Sequence, residues 1–223
     1  MRFIFHQKIN KIDNAYQLNI PFNVWEVCRK RDIITAEITI EGRIIECNLL
    51  PASNGKYKIK LGEDDLGHIN LDQEHEILLY ISESLNNFVK DSPYNLENPI
   101  RKITSLEVIN QPVDGLCSQT CIAMLAGVTI GEVVSIMGLR EWQARMLEMI
   151  QALNYYGIGH SGTVIYTQGR PVTLPKCCIM MEKMGLYCHY LVYYDGKFYD
   201  PNLPVFEEYD MGKLLGYLEV KAE

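Results

Sequence analysis

The chain has 223 residues, 48% hydrophobic and 22% charged, with a formal net charge of -7. This is the make-up of a soluble globular protein of one large or two small domains, and a sequence pI of about 5.3 gives no global field toward nucleic acid or an anionic membrane. No apolar run approaches the roughly 20 residues a spanning helix needs, and the opening MRFIFHQKINKIDNAY has neither an h-region nor a small-residue cleavage site.

The first 83 residues are rich in strand signals. RFIFHQKI and AYQLNIPF read as two strands joined by a turn at IDN. Pro21 ends the second, and FNVWEVCRKR follows as a short helix or helical turn. ITAEITIEGRIIECNLL alternates apolar and polar residues about Glu41-Gly42, a hairpin pattern. GKYKIKLG and HEILLYIS supply further strands, with EDDLGHINL between them as a polar turn or short helix. Short strands at this spacing predict a small β-barrel over 1–83. Arg29-Lys30-Arg31 is the one clustered positive run and is followed at once by Asp32. It reads as a solvated helix end, because nucleic-acid binders carry a basic face.

Residues 84–102 read as a linker, with Asn, Ser, Asp and two X-Pro steps that disfavour continuous regular structure. Phe88, Tyr94 and Leu96 are placed to pin it onto one of its neighbours. From 103 to 223 the pattern is helices first and strands after, which predicts an α+β domain. QPVDGLCSQTCIAMLAG is a loop running into a buried helix that Gly127 ends. Thr129 and Glu132 make a capping box for the next helix, closed by Gly138. LREWQARMLEMIQALNYYG places Trp142, Met146, Met149, Ile150 and Leu153 at helical spacing, a stripe that reads as core packing. GIGHSGTVIYTQG is a glycine-studded loop and strand without the lysine and serine of a phosphate loop. LPKCCIMMEK, CHYLVYYDG and KFYDPN finish as strands, the last two joined at Asp195-Gly196.

Seven cysteines, an odd number without framework spacing, predict free thiols in a reducing compartment and hence a cytoplasmic protein. Cys117 stands apart from the others. A cysteine in the first turn of a helix faces the positive end of the macrodipole, which favours the nucleophilic thiolate. Gln111 lies one short loop upstream, where its amide can donate to an oxyanion. His189 and Asp200, far downstream, complete a nucleophile, base and orienting acid. His160 competes for the base role from its glycine loop, and His6, His68 and His75 read as surface residues. Asp195 is assigned to its turn, which leaves Asp200 as the acid. Cys121, one turn after Cys117, reads as core, and so do Cys28, Cys47, Cys177, Cys178 and Cys188. A zinc site built from the later cysteines and His189 is disfavoured by the lack of a cysteine pair with a two-residue gap.

The order glutamine, cysteine-helix, helices, histidine strand, Asp-Pro resembles the papain-like cysteine peptidases, and most nearly the leader-peptide-cleaving peptidase domains of bacterial peptide exporters. The resemblance runs from about Ile109 to Pro201 and rests on Gln111, CSQTCIAML and HYLVYYDGKFYDPN. Leu116 and Ser118 depart from the acidic or polar residue and the glycine that usually flank the family's nucleophile. No transporter segments or nucleotide-binding loop accompany the match, so export-coupled processing does not carry over. The first half is similar to small AbrB-like barrels over Phe3 to about Ser82, through NIPFNVWE, ITAEITIEGR and GKYKIKL.

These resemblances imply a small N-terminal β-barrel followed by a papain-like domain of helices packed on an antiparallel sheet. They imply a cysteine peptidase acting on a peptide or isopeptide bond through Cys117, His189, Asp200 and Gln111, without metal or organic cofactor. Two alternatives stay open: an acyl transferase using the same cysteine, and a non-catalytic peptidase-like binding module. The expected partner is a peptide or protein substrate, with neither nucleic acid nor membrane. AbrB-like barrels pair as dimers, so a homodimer through the barrel enters as an expectation of that resemblance.

Overall fold

A computed structural model describes residues 1–12, 15–28, 30–82, 91–138, 141–185 and 187–223. The chain is mixed α+β, with few helices and mostly antiparallel sheet. It divides into two compact units, Met1–Ser84 with Thr163–Gln168, and Leu85–Gly162 with Gly169–Glu223.

In the first unit the strands are β1 (Arg2–Lys8), β2 (Asn10–Ile12), β3 (Ala15–Asn19), β4 (Ile34–Ile40), β5 (Arg43–Pro51), β6 (Tyr57–Leu61) and β7 (Glu74–Ile81), with a 3-10 turn at Val24–Glu26, where the sequence predicts a helical turn, and the short helix α1 (Glu63–Leu66). Their order is β1-β7-β4-β5-β6-β3-β2, all neighbours antiparallel. The β4–β5 hairpin shows how the sequence dictates this. Glu41 and Gly42 take φ of 50° and 79°, the left-handed pair that matches the twist of the two strands. The alternation then places Ile34, Ala36, Ile38 and Ile40 in the core.

The turn expected at IDN falls on Asp13 and Asn14, and Arg29 of the basic run likewise lies outside the described residues. Arg31 sits over the Trp25 ring at 4.9 Å. His75, expected at the surface, is buried, because its ring bridges the Asn70 carbonyl (2.6 Å) and the Glu41 carboxylate (3.0 Å). Its alternation with Ile77 and Leu79 puts it on the inner face of β7.

The segment Thr163–Gln168, which the linear reading gave to the second half, belongs to the first unit. It is the end of β8 (His160–Tyr166), and Thr163–Ile165 pair in parallel with Arg2–Ile4 of β1. Tyr166 stacks flat on Phe22 at 4.1 Å, beside Phe3, and Gln168 exchanges two hydrogen bonds with the His6 backbone. Parallel pairing between segments some 160 residues apart leaves no local trace in a sequence.

The second unit carries α2 (Cys117–Ala126), α3 (Ile130–Ile136), α4 (Met146–Tyr155) and the strands β9 (Cys177–Met184), β10 (Tyr187–Tyr194), β11 (Lys197–Tyr199) and β12 (Leu214–Val220). Strand order is β11-β10-β9-β12-β8. Every residue of α2 is buried, its apolar residues as core and its polar Ser118 and Gln119 through hydrogen bonds of their own. Gly127 ends it at φ 68°, its N–H donating to the Ala123 carbonyl at 2.8 Å. The Thr129–Glu132 capping box opens α3, with side chain to backbone bonds in both directions. Helix α4 starts only at Met146, so Trp142 lies in the loop before it and is 58% exposed.

Residues 91–102, read as linker, are tied down within this unit. Ser92 Oγ donates to the Tyr155 carbonyl, Tyr94 packs edge-on against Tyr155, and the Ile100 N–H donates to the Tyr156 carbonyl at 2.9 Å. Phe88 lies outside the described residues. Strand β12, unread in LLGYLEV, pairs antiparallel with β9.

Candidate active site

Two neighbouring secondary elements place the chemistry. Cys117 is the first residue of α2, and its capping residue Leu116 offers no side-chain acceptor to the N–H groups of the first turn. Those donors are the four that every helix leaves without intrahelical partners. His189 lies mid-way along β10 and Asp200 follows β11, brought back by the Asp195-Gly196 hairpin whose φ values of 47° and 85° again match strand twist.

His189 Nε2 and Asp200 Oδ2 are 2.8 Å apart, and both residues are buried. The other group that acts on the imidazole is the Cys117 thiol, which with Asp200 raises its pKa. With Nε2 held by Asp200, Nδ1 is the nitrogen left to face it. Burial pulls the His189 pKa down. The hydrogen bonds to Asp200 and Cys117, and the charges of the same two groups, outweigh it and lift the imidazole to about 10.

Asp200 is itself held. Its Oδ1 accepts from the Asn202 N–H at 2.7 Å, an Asx turn that fixes the carboxylate. The same turn reaches Gln111, whose N–H donates to the Pro201 carbonyl at 2.9 Å and whose Nε2 donates to Asn202 Oδ1 at 2.5 Å. Gln111 Oε1 is buried without a protein partner. One turn, Asp200-Pro201-Asn202, therefore anchors both the Asp200 carboxylate and the Gln111 amide. Asn202 was not singled out from sequence, although its place directly after Asp-Pro was the available signal.

The residues after Cys117 have structural partners. Ser118 Oγ donates to Gln119 Oε1 at 2.9 Å and accepts from the Ala144 N–H at 2.8 Å, while Gln119 Nε2 donates to the Trp142 carbonyl at 2.7 Å. Gln143 Nε2 donates to the Cys188 carbonyl. The loop before α4 is thus fastened both to the start of α2 and to β10.

The remaining candidates fall elsewhere. His160 accepts from the Gly162 N–H at 2.9 Å and meets Asn154 Oδ1 at 3.0 Å, and burial with the Lys221 charge lowers its pKa. Cys121 is fully buried, and burial, then the Cys117 and Asp200 charges, push its thiol well up. Burial also takes Cys177 to about 12 and raises Cys178. All seven cysteines are free thiols. Among the described residues no group of three or more His, Cys, Asp or Glu side chains could hold a metal ion, and no single helix is long and apolar enough to cross a membrane.

No protein-family model matches this chain, and no curated protein does. Among solved structures, overlaps are found with oxalate decarboxylase of Bacillus subtilis. The form at pH 4.6 is 11% identical with a TM-score of 0.16, covering 97% of this chain and 75% of that one. A variant of the same enzyme is 12% identical with a TM-score of 0.17, covering 97% and 76%. Overlaps of that size carry no argument about fold or activity.

Proposed function

We propose that this protein is a papain-like cysteine peptidase, hydrolysing a peptide or isopeptide bond with Cys117 as nucleophile, His189 as base and acid, Asp200 as orienting acid and Gln111 as oxyanion donor. The observation that supports the reading is the buried His189–Asp200 pair at 2.8 Å, with Cys117 the other group acting on the same ring. In this reading the second unit is a papain-like domain. The first is a small barrel serving partner binding or dimerisation.

The chemistry follows from those positions. His189, with its pKa lifted to about 10, holds the thiol proton as imidazolium, so the Cys117 thiolate attacks the carbonyl carbon while Asp200 accepts from the other ring nitrogen. The tetrahedral oxyanion forms between the Cys117 N–H at the helix start and the Gln111 amide. His189 then protonates the departing amine, leaving an acyl-enzyme thioester. Water, deprotonated by the same imidazole, attacks that thioester and returns the free thiol.

The test is a comparison of proteome extracts treated with the wild-type chain or with Cys117→Ala, followed by mapping of new peptide termini. Termini that appear with the wild type and not with the variant support hydrolysis. Amine adducts in their place point to acyl transfer, and identical maps refute catalysis.

A further inference from the structure

In the second unit Val113 (58%), Trp142 (58%) and Leu203 (51%) are exposed large hydrophobic side chains on loops that flank or bond to the candidate site residues. Val113 lies in the loop between Gln111 and Cys117. Leu203 follows Asn202, and its N–H donates to the Asp200 carbonyl at 3.3 Å. Trp142 is the most telling of the three. Its ring lies so close over Gly115 that a Cβ there would stand 2.8 Å from two ring carbons, and Gly115 has φ 91°. Gly115 is two residues before Cys117, so the ring packs on the loop that leads into the nucleophile.

Trp142 is also held. Gln119 fixes its carbonyl, and the bond of Gln143 Nε2 to the Cys188 carbonyl and that of the Ala144 N–H to Ser118 Oγ fix the chain just after it. An indole this exposed on backbone this firmly tethered gains little for the fold, because most of its apolar surface stays in water. It is preorganised for contact, with little side-chain entropy left to lose when a ligand covers it.

We propose that Trp142 is a specificity-determining residue whose ring packs on an apolar side chain of the substrate next to the scissile carbonyl. Val113 and Leu203 extend this apolar contact. The substrate class is then a peptide with hydrophobic residues flanking the cleaved bond. This inference rests on Cys117 being the nucleophile.

Two alkylating agents separate the inference from the reading beneath it. Iodoacetamide reports the reactivity of Cys117 alone, and N-(2-phenylethyl)iodoacetamide adds an aromatic group beside the reacting carbon. Intact-mass kinetics and peptide mapping give both rates at Cys117. In the wild type the aromatic reagent is expected to react about tenfold faster, equivalent to about 1.4 kcal/mol. The ratio should fall to near one in Trp142→Ala and return in Trp142→Phe. Near-native circular dichroism of each variant ensures that a folded protein is read. A ratio unchanged by Trp142→Ala, or absent in the wild type, overturns the role of Trp142 while leaving the nucleophile in place. Slow reaction of Cys117 with both reagents overturns the nucleophile assignment, and this inference with it.

Discussion

Asp200→Asn isolates what the carboxylate does for His189. The side chain keeps its shape and an oxygen to accept from the Asn202 N–H, so the turn that also holds Gln111 stays in place. What is lost is the negative charge beside the ring and the oxygen that faces His189 Nε2, whose place the amide nitrogen takes. Raising His189 from 6.5 to about 10 corresponds to about 5 kcal/mol of preference for imidazolium, at about 1.4 kcal/mol per pH unit. Asp200 and Cys117 each supply a hydrogen bond and a charge toward that preference, against the opposing effect of burial. Losing the carboxylate's hydrogen bond and charge should therefore move the variant's His189 titration well down from about 10.

Histidine-selective ¹⁵N NMR reads this directly, since the chain has five histidines and His189→Gln assigns the signal. The linkage has a definite sign. A folded-state pKa above the unfolded value stabilises the fold fully below about pH 6.5, and that gain disappears as pH rises through about 10. Thermal melts should therefore separate wild type from Asp200→Asn at pH 6 and bring them together near pH 11. A wild-type His189 that titrates like a free imidazole, or one indifferent to Asp200→Asn, refutes the coupling of His189 to Asp200.

Cys117→Ser should abolish turnover with the fold intact, whereas Cys121→Ala should lower stability by ~1 kcal/mol and retain most activity. The reverse pattern in paired melts and activity assays would reassign the nucleophile. Asn202→Ala should lower kcat/KM on the order of tenfold by freeing the Gln111 amide, an effect largely absent when Gln111→Ala is already present. Full additivity in that double-mutant cycle would uncouple the two residues. Thr129→Ala removes an observed capping box and should cost ~1 kcal/mol in urea unfolding with activity unchanged. A neutral result would show that α3 is held by packing alone.

Local grammar made much of this chain legible. Both hairpin turns, the Gly127 stop and the Thr129–Glu132 box depend on a few adjacent residues whose conformational needs are strict, and each stands where its sequence signal lies. The candidate site was readable for a different reason: cysteine at a loop–helix junction, histidine in a strand and Asp-Pro after a hairpin are distinctive residue types in distinctive local settings. What sequence did not disclose depends on distant partners. Helical spacing assigned Trp142 to a helix, but side-chain bonds from Ser118 and Gln119 hold the preceding loop open. His75 reads as polar until Glu41 and Asn70 are beside it. The partnership of Asn202 with Gln111 spans 91 residues, and that of β8 with β1 spans still more.

The passage of Thr163–Gln168 into the first unit bears on how this molecule can be cut. A fragment ending near residue 84 carries every other strand of that unit yet leaves Arg2–Ile4 with one open flank. Their unpaired N–H and C=O groups would form a sticky edge, the kind that recruits another chain. Phe22 would lose the tyrosine ring that lies flat against it. Such a fragment is expected to self-associate, and any oligomer it forms would report the missing strand rather than a native interface. A faithful excision needs a single-chain graft that supplies 163–168 in parallel beside β1.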